Sequence, residues 1–364
     1  MGADIPISTK NTIKTTCTLL KDRKLIKKND IKEYIIYLIN IKIDEKEVIL
    51  IFTTQHIFIY ELPTLKKVYE QNIELDYYSF IFVNRIQKIK NNILILMKRD
   101  LTISLIIKKD KNLNKYNIYK GKIFDYSLSS INLVELSNNN LVLLTNYSIY
   151  LFKSNEEKEI EFKELFNEEI IKQKLPFYTI DYKINIDTNY DYLDIISMNN
   201  DIIVYHNTKY IYIYSLYNKQ SIFNIEVIID SSTDDVIKRL SEDIFFFCGT
   251  NIIYFISIKL GMIIHQITLS KYFHIVASNY LNDNNIIFAC IRNYFNQINA
   301  YKGTIIFGQF CYRITKIKEK EEIEIELKSN FQLQCNGEGN IHIYELEDGK
   351  IITCTKNNIY IYSN

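Results

Sequence analysis

One sentence of sequence recurs seven times along this chain, most cleanly as YELEDGKIITCTKNNIYIYS from Tyr344 to Ser363. Each copy reads as a polar turn, a short apolar strand, a second turn, and a strand in which Ile alternates with aromatic residues. A period of two puts one set of side chains on each face of a pleated strand, and a continuous apolar run fits a strand buried on both faces. The copies end near Tyr60, Ile106, Phe152, Tyr214, Ile256, Asn299 and Tyr362, at intervals of 46, 46, 62, 42, 43 and 63 residues. Four intervals match the roughly 40–45 residues of a four-stranded propeller blade, and the two long ones leave room for insertions. The repeat therefore predicts an all-β chain, a seven-bladed β-propeller that occupies residues 1–364 as one domain.

Two insertions and one closure follow from the same alignment. The seventh copy ends beside Asn364, which leaves its blade short of an outer strand. An open sheet edge pairs where it can, so residues 11–20, NTIKTTCTLL, are expected to supply the closing strand. Residues 154–175 read as a short helix: Ser154 and Glu157 match a capping box, and Pro176 stops the pattern. Phe162, Leu165, Phe166 and Ile170 then share one helical face, which makes them the candidate partner contacts. Residues 312–330 read as a hairpin in which Ile314 and Ile317 oppose Ile323, Ile325 and Leu327, the outer part of the sixth blade lengthened by its turn.

The copies resemble the WD40 family, whose blades commonly close a strand with Trp-Asp. The matching positions here are Tyr60-Glu61, Phe152-Lys153, Tyr214-Ser215 and Tyr362-Ser363, so an aromatic stands for the Trp while the Asp is replaced. None of His56, His206, His265, His274 and His342 follows a glycine, so the Gly-His pair of the family is absent. What the resemblance implies is a non-catalytic scaffold or adaptor that binds proteins or peptides within a larger assembly. The family's Asp-His-Ser-Trp hydrogen-bond network does not carry over.

Composition narrows the classes further. Lys and Arg number 44 against 43 Asp and Glu, a net charge of +1, which argues against a binder that works by neutralising phosphates. The abundance of Ile, Asn, Lys and Tyr follows from A- and T-rich codons, so the lysines carry little functional weight. The stretch from Lys108 to Lys122 interleaves Tyr116 and Tyr119 with lysines, a pattern suited to RNA or an acidic lipid surface, but it reads better as a solvated loop.

The six cysteines stand singly, with no paired spacing that fits a zinc site. Cys248, Cys290 and Cys354 fall inside apolar strands as structural thiols. No P-loop, GxSxG, HExxH or GxGxxG motif is present, so no enzyme and no cofactor is expected; a carboxylate site lining the propeller channel is the alternative. No apolar run reaches a membrane span, since Ile252–Ile264 is broken by Lys259, and no signal peptide opens the chain. A soluble cytoplasmic protein is expected.

Overall fold

The structure, a computed structural model, describes residues 24–72, 83–89, 93–98, 101–111, 115–124, 132–145, 147–165, 167, 169–186, 192–207, 209–227, 237–249, 251–269, 273–281, 285–292, 303–317, 320–337, 341–355 and 357–363. Among them there is no α-helix. Strand β1 (Lys24–Asp30) precedes a first set of four, β2 (Ile35–Ile43), β3 (Lys46–Thr53), β4 (His56–Glu61) and β5 (Lys66–Asn72). The second set is β6 (Val83–Ile89), β7 (Ile93–Lys98), β8 (Leu101–Asp110) and β9 (Lys115–Gly121). The third is β10 (Asn132–Glu135), β11 (Leu141–Leu144), β12 (Ser148–Glu164) and β13 (Ile170–Asn185). The fourth is β14 (Tyr192–Ser197), β15 (Ile202–Asn207), β16 (Tyr210–Ser215) and β17 (Gln220–Glu226). The fifth is β18 (Ile237–Arg239), β19 (Ile244–Cys248), β20 (Ile252–Ser257) and β21 (Met262–Thr268). The sixth is β22 (Phe273–Leu281), β23 (Asn285–Arg292), β24 (Gly303–Ile317) and β25 (Lys320–Gly337). Strands β26 (His342–Glu345), β27 (Ile351–Cys354) and β28 (Asn358–Ser363) end the chain.

The first, fourth, fifth and sixth sets are each a four-stranded sheet in chain order. The second and third sets join into one eight-stranded sheet, because β12 pairs with β9 as well as with β11 and β13. The last sheet runs β1-β28-β27-β26. Its outer place beside β28 is therefore held by Lys24–Asp30, from Lys24 opposite Ser363 to Asp30 opposite Asn358. That is the place expected for residues 11–20, which lie outside the described residues. The Ile31 amide extends the pairing, donating to the Asn357 carbonyl at 2.7 Å, and the Ile31 side chain is buried behind it.

By its contacts the chain divides into two compact units, one comprising Met1–Lys32, Lys209–Ile213 and Ile222–Asn364, the other Glu33–Thr208 and Tyr214–Ser221. Within the second, β2 lies against β6, β6 against β10 and β10 against β14, while β5 lies against β9. Within the first, β22 lies against β26. Within each unit, neighbouring sheets thus stack face to face, corresponding strand upon corresponding strand, in a propeller-like arrangement.

The second strand of each set explains the apolar runs. In β7, Leu94 and Leu96 point into a core shared with Ile39, Leu50 and Ile59 of the first set. Ile93 and Ile95 point the other way, into a core with Leu141, Leu143 and Phe152 of the third. A strand covered on both faces needs an apolar residue at every position. Cys248, Cys290 and Cys354 sit in three such strands, fully buried. Burial pushes the Cys248 and Cys354 thiols up to about 12 and the Cys290 thiol well above its usual value.

The turns repeat as regularly as the strands. Asn139 and Gly349 take left-handed backbone (φ 69° and 77°) between first and second strands, and Leu65, Lys219 and Gly261 (φ 49°, 54° and 62°) do so between third and fourth. Gly349 and Gly261 adopt this conformation without the strain a Cβ brings. A bulge recurs in the fourth strand, where Val68, Asp181 and Ile264 are the extra residues of β5, β13 and β21, just beyond the turn in β5 and β21 and well along the hairpin in β13.

The expected helix over residues 154–175 is instead the far half of the β12–β13 hairpin, with Lys158 opposite Leu175 and Lys163 opposite Ile170. Its burial alternates: Ile160, Phe162 and Glu164 are buried while Glu159, Glu161 and Lys163 are exposed. That period of two competes with the helical spacing, and a partner strand on each side decides the outcome. Pro176 lies opposite Glu157 at the edge of a register shift, one of the places where a strand tolerates a proline. Residues 312–330 do form a lengthened outer hairpin, with Ile314 opposite Ile323 and Tyr312 opposite Ile325. The two long intervals in the repeat are thus one device, an elongated third and fourth strand. In the sixth set the third strand begins at Gly303, beyond the Asn299 that the repeat marked as its end; Asn299 itself lies outside the described residues.

Candidate interaction surface

The three described residues of the predicted contact set do not share a face. Phe162 is fully buried, its ring packed over Gly121 so closely that a Cβ added there would lie 2.6 Å from it. Leu165 is buried 7% exposed among Tyr116, Ile118 and Leu105, on the other side of the second set. Ile170 alone is open, at 51% exposure. Phe166 lies outside the described residues. Phe162 and Leu165 are therefore core residues, because the hairpin that carries them lies across β9 rather than standing out as a helix.

That overreach is specific. Phe162, Lys163 and Glu164 pair with Gly121, Lys120 and Tyr119, and the Leu165 amide donates to the Ile118 carbonyl at 2.8 Å. On the other arm the Tyr178 amide donates to the Ile123 carbonyl at 3.3 Å, and the Tyr178 ring packs against Phe124 at 5.7 Å. The outer edge of the second sheet is closed by the third.

The lysine-rich stretch from Lys108 to Lys122 is the β8–β9 hairpin, not a loop, and its aromatics are not available for stacking on bases. Tyr116 and Tyr119 are buried. Lys109 and the Tyr116 hydroxyl both donate to Glu61 Oε1, each at 2.9 Å, and Lys109 lies 5.1 Å above the Tyr116 ring. The hydrogen bond from Lys109 holds the Glu61 carboxyl below its usual range, against the opposing effect of burial. Glu33 likewise holds the turn before β4, with its carboxylate 2.5 Å from His56 Nδ1 and a short hydrogen bond from Thr53.

A side-chain network stands at one of the positions matched to Trp-Asp, Ser215, and at the equivalent Ser257 of the fifth set. In the fourth set, Asp201 accepts from the Ser215 hydroxyl (2.9 and 3.1 Å) and from the Tyr217 amide (2.6 Å). In the fifth, Asp243 accepts from Ser257 (3.1 and 3.0 Å) and from the Lys259 amide (2.8 Å). In the third, Asn140 accepts from the Ser154 amide at 3.0 Å. The signal lay in the sequence as Asp and Ser fourteen positions apart in successive copies, a spacing that matters only once the register is known.

Two exposed aromatics lie on turns on either side of β13. Tyr217, in the turn after β16, is 87% exposed, and Tyr147, before β12, is 61% exposed. Beside Tyr217 the Tyr182 hydroxyl donates to the Leu216 carbonyl at 2.8 Å, with Lys219 lying 4.5 Å above its ring. Lys183 covers Tyr150 at 5.5 Å. Tyrosines held by lysines present large rigid contact area with polar tips, the composition of protein-binding hot spots. Among the described residues no group of three His, Cys, Asp or Glu is placed to hold a metal ion, and no helix is long and apolar enough to cross a membrane.

No family model matches the chain and no curated protein matches it. Solved structures do. One is a chain in the crystal structure of a mitotic checkpoint complex, with a TM-score of 0.59 at 8% identity over 99% of this chain and 96% of that one. Another is in the crystal structure of BBS1N in complex with ARL6DN, with a TM-score of 0.50 at 12% identity over 93% and 96%. At such identities the likeness speaks for the fold alone, and that fold is of the propeller type.

Proposed function

We propose that the chain is a single seven-bladed, WD40-like β-propeller and a non-catalytic, intracellular platform for protein or peptide partners. The seven-fold count is supported by the match between sequence copies and strand sets, each copy supplying four strands except the last, which borrows β1. The platform reading is supported by stiff sheets whose turns vary independently, and by neighbours whose crystals hold protein complexes. The observation that carries it is two wide-open tyrosines, Tyr217 and Tyr147, each on a turn, with the half-buried Tyr182 and Lys219 beside the first. Fold does not fix function, so the test is direct. Tagged wild-type chain and the double variant Tyr217→Ser, Tyr147→Ser are purified from native expression at gentle salt and compared by mass spectrometry. Partners retained by the first and lost by the second are expected. Recovery of the chain alone in both cases overturns the reading.

A further inference from the structure

Where the third set's hairpin crosses β9 it brings hydrogen-bond acceptors together on one face. Phe162, seated on Gly121, fixes the crossing, and Glu164 two residues on lies directly opposite Tyr119. The Glu164 amide donates to the Glu169 carbonyl at 2.5 Å, which brings the return arm alongside. Cross-strand partners share a face, and so do residues two apart in one strand. Glu164, Tyr119 and Asn117 therefore stand on one face, together with Lys108 and Asp110 of β8, which lie opposite Asn117 and Lys115.

Two of these acceptors lack donors. Glu164 is 7% exposed, and among the described residues its carboxylate has neither a hydrogen bond nor an ion pair. A carboxylate so buried ordinarily meets a donor or a cation. Asn117 donates through Nδ2 to the Tyr119 hydroxyl at 3.3 Å, while its Oδ1 is enclosed and meets no donor among the described residues. Burial raises the Tyr119 hydroxyl above its ordinary value, the Asn117 hydrogen bond works against it, and the charges of Glu169, Glu164 and Asp110 raise it further. Three carboxylates thus act on one hydroxyl. Lys108 and Lys115 share the face, but both are exposed and form no ion pair among the described residues, so the chain's own cations do not neutralise it. Nor, among the described residues, are three of its carboxylates placed to share a metal ion.

The cation that matches spread acceptors is a planar one with several donors. A guanidinium carries its N–H groups in a fixed fork and pairs with a carboxylate through two parallel bonds, whereas an ammonium is a point charge. We propose that the hairpin tip and β9 form a binding site for an arginine side chain presented by a peptide partner. The guanidinium enters past Glu169, which is exposed, and pairs with Glu164. Asn117 Oδ1, beside Tyr119, is the acceptor for a further N–H once the exposed Lys108 opposite it turns aside. The site goes beyond the platform reading and uses neither Tyr217 nor Tyr147, so either proposal can fail alone.

Nuclear magnetic resonance of the nitrogen-15-labelled full chain, titrated with acetyl-Gly-Arg-Gly-amide from about 0.1 to about 20 mM, tests this. A saturable shift of the Asn117 side-chain amide is expected, with a dissociation constant on the order of millimolar. Acetyl-Gly-Lys-Gly-amide should bind more weakly by at least about threefold. Glu164→Gln and, separately, Glu169→Gln are expected to weaken binding of the arginine peptide at least about threefold, with unchanged far-UV circular dichroism. Glu226→Gln, the same change at an exposed carboxylate of the fourth set, leaves it unchanged. No shift at Asn117 in the wild-type chain overturns the inference, and so does an equal shift with acetyl-Gly-Ala-Gly-amide. Binding that survives both glutamate variants overturns it as well. Free arginine that binds more tightly than the peptide makes the ligand a small molecule and overturns the peptide assignment. If Glu164→Gln misfolds, the exposed Glu169→Gln decides.

Discussion

The outer strands of the second and fifth sets do the same job in their own sheets and lie in opposite surroundings. Both are seven residues long, and each pairs on its inner side with the third strand of its set. β9 then receives β12 along Tyr119–Gly121, whereas β21 receives no described strand. The following hairpin is long in both places, but only the third set reaches back over its predecessor, while β24 and β25 pair with each other and, among the described residues, cover no neighbour. Glycine placement accounts for part of the difference. Gly121 gives the Phe162 ring room to lie on the β9 backbone, and no position of MIIHQIT offers the same opening. Edge protection in this chain is thus local, supplied by a neighbour's aromatic at one sheet and left to composition at another.

The strongest way to break the comparison is to remove the residue that closes β9. Phe162→Ala deletes a fully buried ring from the core that the second and third sets share, and the expected loss is about 3–5 kcal/mol in urea unfolding. A loss under about 1 kcal/mol means that the hairpin covers β9 without holding it. Gly121→Ala tests the same contact from below. Ordinarily such a change stabilises slightly through the unfolded chain, but here the new methyl meets the Phe162 ring at 2.6 Å, and a cost of about 1–3 kcal/mol is expected. Combining it with Phe162→Leu should recover part of that cost, and strict additivity in the cycle refutes the contact.

On the open side, Asp243 pins the turn that leads into β21. Asp243→Ala leaves the Ser257 hydroxyl and the Lys259 amide without their acceptor in a buried place, a loss of about 1–3 kcal/mol. Hydrogen exchange should quicken first at Leu260–Ile263. If β21 exchanges no faster while the whole chain loses stability, the turn is not what orders the open edge.

What the sequence made legible was whatever repeats. The short apolar runs, the alternating third strands and the Asn and Gly turns recur, so their period identified strands from Val48–Phe52 through to Ile359–Tyr362. The helix reading failed at Phe162, Leu165 and Ile170 because those residues satisfy a period of 3.6 while Ile160 and Phe162 satisfy a period of two. Only β9 and β13, one from each side, settle which period is used, and a pairing with β9 forty residues upstream leaves no local mark. The Asp201–Ser215 and Asp243–Ser257 pairs were hidden for a related reason: polar residues at spacing fourteen say nothing until a register places them across a turn. The Tyr217 surface and the uncharged edge of β21 are properties of exposure, which one chain without relatives does not reveal.

The smallest expected effect lies beneath the covered strand, where Glu61 ties the first set to Lys109 of β8 and Tyr116 of β9. Lys109 above all, with help from the Tyr116 hydroxyl, lowers the Glu61 carboxyl below its ordinary value of 4.5, while burial works the other way. A carboxyl lowered in the folded state adds stability above its unfolded value, and that stability is lost as the pH falls through the folded value. Glu61→Gln should therefore be less stable than wild type at pH 7, by about 1 kcal/mol or less for a pair still partly in contact with water. The difference should narrow in acid, as the pH falls below the ordinary value of 4.5 and through the lowered folded value at which the wild-type carboxyl takes up its proton. Unfolding midpoints of both chains at the two pH values measure this. A difference that persists unchanged into acid means that Glu61 acts by shape and hydrogen bonding and not by charge, so that β9 is held from beneath by packing just as Phe162 holds it from above.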